Sequence, residues 1–138
     1  MIITIQGKPI AKARPRFARR GKFVVTYNPQ ETEEGRWLWE AKSQISQCFS
    51  CAVWVSCHFY LERPKAHYGT GRNAGKLKNN APRHHTVKRY DTDNLLKWVL
   101  DCLNGIAWKD DCQVIELYGK KEYSGNPRTE IKMGEVFK

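Results

Sequence analysis

Between Ala52 and Leu61 the chain alternates without a break. Val53, Val55, Cys57, Phe59 and Leu61 fall on one side, and Trp54, Ser56, His58 and Tyr60 on the other. A period of two marks a strand with one face on a core. The same reading gives strands at Ile2-Ile3-Thr4-Ile5, Phe23–Tyr27, Cys112–Tyr123 and Arg128–Phe137. Ser124-Gly125-Asn126-Pro127 separates the last two, and so short a turn predicts that they pair as a hairpin. Two segments repeat at helical spacing instead. Trp37, Leu38, Ala41, Ile45 and Phe49 share one side of a helix expected from Gln30 to Cys48, opened by Asn28-Pro29. Glu31, Glu33 and Glu34 stand in its first turns, where the macrodipole favours anions. Leu95, Leu96, Val99, Leu100 and Leu103 make the buried stripe of a second helix, Asn94–Asn104, stopped by Gly105.

From Arg63 to Arg89 no periodicity survives. Gly, Pro, Asn, Lys and His dominate, and a stretch this long is expected to be a mobile basic arm that orders on nucleic acid. The expected fold is a single α+β domain over residues 1–138, with a mixed or antiparallel sheet and two helices on one face. The order is β-β-α-β-(long basic arm over 63–90)-α-β-β. Two strings in the arm imitate known loops. Gly69-Thr70-Gly71-Arg72-Asn73-Ala74 has dinucleotide-fingerprint glycines but no helix-forming sequence after them. Gly75-Lys76 lacks the first glycine and the metal-binding hydroxyl of a phosphate loop. Both are rejected.

Charge adds a partner. The net charge is +10, and it is clustered. Residues 1–30 carry seven Lys and Arg, residues 63–90 carry eight, and neither segment has an acid. Such fields suit phosphate backbones. Arg14, Arg16, Arg19, Arg20, Lys76, Lys78, Arg83, Lys88 and Arg89 are the expected nucleic-acid contacts, and charge alone does not separate DNA from RNA. No apolar run approaches a membrane span and the N-terminus lacks a signal-peptide pattern, so a cytoplasmic, nucleic-acid-associated protein without membrane contact is expected. The odd count of five cysteines argues against a disulfide framework. Cys48-x-x-Cys51 could form half a zinc site with Cys57-His58 nearby, but the competing reading of buried small apolar residues is favoured.

Against this basic background, Asp91-Thr92-Asp93 and Asp110-Asp111 stand out. In an extended segment Asp91 and Asp93 would point the same way. Asp93 also suits a helix N-cap, and Lys97 an i,i+4 pair with Asp93 or Asp101. Carboxylates gathered on a polyanion-binding protein call for a divalent counter-charge, and Mg²⁺ bridges carboxylates to phosphate. Asp111 can join them only if the connection after the helix doubles back along its length of about 15–17 Å. On spacing alone, a metal nuclease and a set of caps and solvated turns stand about level.

The residues also carry a resemblance. Asp91-x-Asp93-Asn94-Leu95-x-Lys97, Asp101-x-Leu103 and Trp108-x-Asp110-Asp111-x-Gln113-Val114 resemble the signature of RusA-type Holliday junction resolvases. Arg14-Pro15-Arg16-Phe17 and Tyr27-x-Pro29 are similar to phage and prophage members. The resemblance implies a homodimeric, Mg²⁺-dependent endodeoxyribonuclease, with Mn²⁺ able to substitute, that nicks four-way DNA junctions to leave 5′-phosphate ends. It implies Asp91, Asp93 and Asp111 as catalytic metal ligands, Lys97 as the catalytic lysine and Asp110 as a weaker ligand. Arg89-Tyr90 departs from the pattern before the first Asp, where many relatives have a proline or short basic residue. A non-catalytic DNA- or RNA-binding protein and a less selective flap or branched-DNA nuclease are the competing functions. His84-His85 beside the acids is more readily a phosphate contact than a general base, and His67 belongs with them.

Overall fold

β4 (Val53–Glu62) takes the centre of the sheet, as the most apolar strand should. The computed structural model describes residues 1–137. Around β4 run β1 (Ile2–Gln6), β2 (Arg16–Arg20), β3 (Phe23–Tyr27), α1 (Glu31–Lys42), α2 (Thr92–Leu103), β5 (Val114–Ser124) and β6 (Arg128–Glu135). The main sheet has the order β1-β6-β4-β5, and β2-β3 form a separate two-stranded sheet. β4 pairs antiparallel to β6 and parallel to β5. The α+β class and the mixed sheet agree with the expectation. The predicted β5–β6 hairpin does not form. Residues 125–127 instead carry the chain past the Glu62 end of β4, and β4 fills the place between the two strands. Pairing β4 along both edges satisfies its ladder and leaves the more polar β5 at the sheet margin.

Several boundaries differ from expectation, β5 beginning at Val114 and β6 ending at Glu135 among them. A strand at Arg16–Arg20 exists where none was expected; Gly21, at φ +61, turns it onto β3. α1 ends at Lys42 rather than Cys48. The Gln44 side chain instead accepts from Thr4 N–H and donates to Thr4 C=O, both at 2.8 Å, while Glu40 accepts from Gln6 N–H. The edge of β1 is thereby sealed by side chains. α2 starts at Thr92, two residues early, and Gly105 at φ +76 lies just beyond its end as expected.

Both helices cover one face of the sheet. Ile3, Ile5, Val53, Val55, Cys57, Phe59, Ile131 and Met133 pack there beneath Trp37, Leu95, Trp98, Val99 and Leu103. Trp37 of α1 meets Trp98 of α2 edge to face at 6.5 Å. Cys57 is a buried core residue whose thiol is pushed up to about 12 by burial. α2 runs antiparallel to β5 and comes so close that a Cβ on Gly119 would lie 2.7 Å from Leu96 Cδ1. At the far end of this contact Lys121 Nζ donates to Tyr90 C=O at 3.0 Å.

The residues between β4 and α2 form short 3-10 turns at Lys65–His67 and Gly71–Asn73, with no α-helix after the glycines. They are tied to the body where Arg63 Nη1 donates to Pro82 C=O and Tyr123 N–H donates to Arg83 C=O, at 2.8 and 2.9 Å. His85 is buried beside Tyr90 and Tyr123.

The opposite face of the sheet is polar. Tyr60 stacks on His58 at 4.0 Å and lies under the Arg128 guanidinium at 3.7 Å. Glu122, only 9% exposed, is met by Arg83 at 3.2 Å and Lys120 at 4.0 Å. His58 Nε2 approaches Glu122 within 3.0 Å, but not along a hydrogen-bond direction. Burial raises the Glu122 carboxyl, yet Arg83, Lys120 and His58 outweigh it and hold it below its ordinary value. Burial, outweighing the pull of Glu122, holds His58 low, and burial together with Lys121 does the same for His85.

Two outcomes follow from these contacts. Gly119→Ala should cost about 1–3 kcal/mol in urea unfolding, and clearly less in a Leu96→Ala background, because the clash is with that side chain. Acidification should lower stability in two stages. All three groups are depressed in the fold, so the unfolded chain binds protons first as pH falls. The loss should begin below about pH 6.5 with the histidines and resume below the ordinary Glu value as Glu122 protonates. Urea midpoints from pH 8 downward would show it, with the first stage reduced in His85→Gln.

Candidate active site at the N-terminus of α2

Asp91 occupies the N-cap position of α2 and Asp93 lies in its first turn, so Asp93 is not the cap that its sequence suggests. The Asp91 side chain makes no capping hydrogen bond. Both carboxylates are exposed, and among the described residues neither joins an ion pair. A helix start attracts anions through its free N–H groups and dipole, which offsets part of their mutual repulsion. Lys97 follows Asp93 by one turn on the same face and is also exposed and unpaired. Asp101, its other candidate partner, pairs with Lys12 at 3.3 Å instead. Caps and helix-surface pairs therefore do not account for Asp91, Asp93 or Lys97.

The residue before this pair is strained. Tyr90 has φ +61, the one described non-glycine residue at positive φ. For a bulky side chain this costs roughly 1–2 kcal/mol. Lys121 holds its carbonyl, and the Arg89 guanidinium stacks over its ring at 5.0 Å. The departure at Arg89-Tyr90 is thus where the backbone turns sharply into α2. An open cleft of about 820 Å³ adjoins Tyr90 and is walled by Lys8, Arg36, Arg63 and Arg89, with Glu33 and Glu62. Within it Lys8 pairs with Glu62 at 2.6 Å.

Asp111 stands elsewhere. Ile106 and Ala107 N–H groups donate to Leu103 C=O, and Gly105 N–H donates to Trp108 C=O, so the chain turns on the spot at the end of α2. Phe49 N–H donates to Ala107 C=O, and the Gln113 amide donates to Phe49 and Cys51 carbonyls. The buried Trp108 indole donates to Asp111 Oδ1 at 2.8 Å. Asp110 accepts from Cys112 N–H, which holds its carboxyl below the ordinary range. Residues 106–110 therefore do not double back. At 1.5 Å per residue, the ends of α2 from Asp91 to Asn104 are about 20 Å apart. Asp91 and Asp93 mark one end and Asp111 the other, and among the described residues no three His, Cys, Asp or Glu of one chain gather closely enough to hold a metal ion.

The expected DNA contacts divide. Arg14, Arg16, Arg19 and Arg20 are exposed on or beside β2; Lys76, Lys78 and Lys88 are exposed in the segment before α2. Arg83 is committed to Glu122 and Arg89 to Tyr90. His84 is exposed, whereas the buried His85 Nδ1 has no partner. His67 lies edge-on to Tyr123. Cys48 and Cys51 are exposed, and Cys57 is in the core. Sequence reasoning missed Lys121, Trp108 and Gln113, which position the two ends of α2. Only the Trp108 and Gln113 positions within the acidic motif offered a signal. No helix among the described residues is long and apolar enough to cross a membrane.

Comparison with known proteins gives this geometry a family. A Bacillus subtilis (strain 168) protein named Uncharacterized protein YqaN is 29% identical over 136 residues, covering 96% of this chain and 94% of that one. The family model described as Endodeoxyribonuclease RusA matches residues 6–134, which span the acid pair, Lys97 and Asp111. The chain belongs to the RusA endodeoxyribonuclease family of Holliday junction resolving enzymes.

Proposed function

We propose that the protein is a homodimeric, Mg²⁺-dependent endonuclease that nicks opposing strands of four-way DNA junctions in recombination and repair. The observation that carries this is the pair of exposed, unpartnered carboxylates, Asp91 and Asp93, beside a cation-walled cleft in a chain of this family. The donors are all oxygen, which suits Mg²⁺ or Mn²⁺ better than a soft metal. Such an ion, when bound, supplies water activation and a counter-charge for the phosphodiester. Asp91, Asp93 and Asp111 hold it. Lys97, one turn from Asp93, faces the same side and offsets charge on the leaving 3′ oxygen, so that hydrolysis leaves 5′-phosphate and 3′-hydroxyl ends. The basic surfaces hold the junction arms.

The third carboxylate is supplied by a second copy. β5 is the sheet margin, and its first half is apolar and open: Ile115 is 59% exposed, Leu117 45% and Tyr118 59%. An exposed apolar edge strand is a pairing template. Antiparallel pairing of two β5 strands about Leu117 sets Glu116 against the partner's Tyr118 and avoids like charges in register. The ladder ends with Val114 opposite the partner's Lys120, and Asp111, in the 3-10 turn just before β5, then lies towards the partner's Lys121, whose ammonium holds the residue before Asp91. Two such sites related by a twofold axis match two opposing strands.

Asp93→Asn should lower Mg²⁺-dependent nicking of a synthetic four-way junction by on the order of 10³-fold while leaving gel-shift affinity unchanged. An intact but shifted junction with the parent protein in Mg²⁺ would favour the binding-protein reading, and equal cutting of flaps a less selective nuclease. Mixing inactive Asp93→Asn and Asp111→Asn chains should restore single-strand nicks, since a mixed dimer keeps one complete site; no restoration would place all three acids in one chain. Leu117→Lys should sediment as a monomer with an unchanged circular dichroism spectrum and should not nick.

A further inference from the structure

We infer that the β2–β3 hairpin seats its aromatic side chains against unpaired nucleobases at a DNA branch point. This rests on the branched-DNA reading above and names the part of the chain that recognises the branch.

The hairpin is a sheet of its own, five residues per strand, and none of its residues is buried. Phe17 is 73% exposed and Phe23 75%. A two-stranded hairpin is at best marginal in water, and exposed phenylalanines make it worse. Something must cover them. The register puts arginine and apolar residues together on each face: Arg20 opposite Phe23 on one, and Arg19 opposite Val24 beside Phe17 on the other. No acidic residue occurs from Arg16 to Tyr27. A second copy of the hairpin would therefore meet like charge with like charge. The covering partner is anionic and presents flat apolar faces, which is the chemistry of unstacked bases on a phosphate backbone. Duplex DNA hides those faces, whereas a branch point offers them.

The root of the hairpin fixes where it acts. Gln30 accepts from Ala13 N–H and donates to Ala11 C=O, at 2.8 and 2.9 Å, clamping the two legs together. Lys12 N–H donates to Asn94 C=O at 3.0 Å, one residue from Asp93. A five-residue strand extends about 17 Å, so the hairpin projects from the end of α2 that carries the acid pair. Bases held on Phe17 and Phe23 set the adjoining phosphates near Asp91 and Asp93.

The test uses a four-way junction with 2-aminopurine at the branch point, the full chain, and chelator to prevent cutting. Saturating parent protein should raise the fluorescence as the base leaves its stack. Phe17→Ala with Phe23→Ala should abolish the rise and weaken binding about tenfold. Phe23→Leu, which keeps the apolar bulk, should lose most of the rise, and Phe23→Trp should keep it. Arg19→Gln should weaken binding and its salt dependence but leave the rise at saturation. Unfolding midpoints should stay the same, because the hairpin is outside the core. A rise that survives the double Phe substitution overturns the inference, as does a dimer that falls apart on that substitution. Mg²⁺-dependent cutting with a rise indifferent to both phenylalanines removes the hairpin role and leaves the nuclease; a Phe-dependent rise without any cutting does the reverse.

Discussion

The closeness of α2 to β5 governs the architecture. Leu96 can lie over β5 only because residue 119 is glycine, and that contact fixes the helix antiparallel to the strand. One end of α2 then falls beside Lys121 and Tyr90, and the other beside the turn that leads to Asp111. The hydrophobic stripe of α2 supplies most of the attraction. The glycine decides its depth. Burial and one missing Cβ thus determine how closely the helix that carries Asp91 and Asp93 lies on the sheet.

The surroundings of the two ends differ in kind. Around Asp111 the chain is over-determined: Trp108, Gln113, Phe49 and Cys51 are joined by direct hydrogen bonds. Around Asp91 the backbone is strained at Tyr90, the carboxylates are uncommitted, and the neighbouring cleft is open. Strain beside uncommitted charge costs stability, and such features concentrate where ligands act. The polar sheet face takes the opposite course. Its Arg83 and Lys120 pair with Glu122, and this withdraws Arg83 from the cations free to meet DNA.

Much of this was legible in the residues. The alternation in β4 and the apolar stripe of α2 gave the core, because burial acts on each residue locally. Asp91, Asp93 and Lys97 stood out as candidates because they lie close together in sequence. Pairing across the sheet was not legible: a short turn predicts a hairpin, but β4 competes for the same edges and wins on burial. Nor was β2, since arginines and a proline hide a strand whose only partner is its neighbour. The placement of Asp111 depends on Gly105, Trp108 and Phe49 acting together, and no local pattern records that.

The distance between the two ends of α2 has a meaning beyond geometry. An enzyme that cuts DNA is dangerous to the cell that makes it. In this fold, a newly made chain cannot bring its three carboxylates together by folding, because a rigid helix of three turns keeps them apart. Under the proposed two-copy site, folding and arming become separate events, and the helix acts as an interlock.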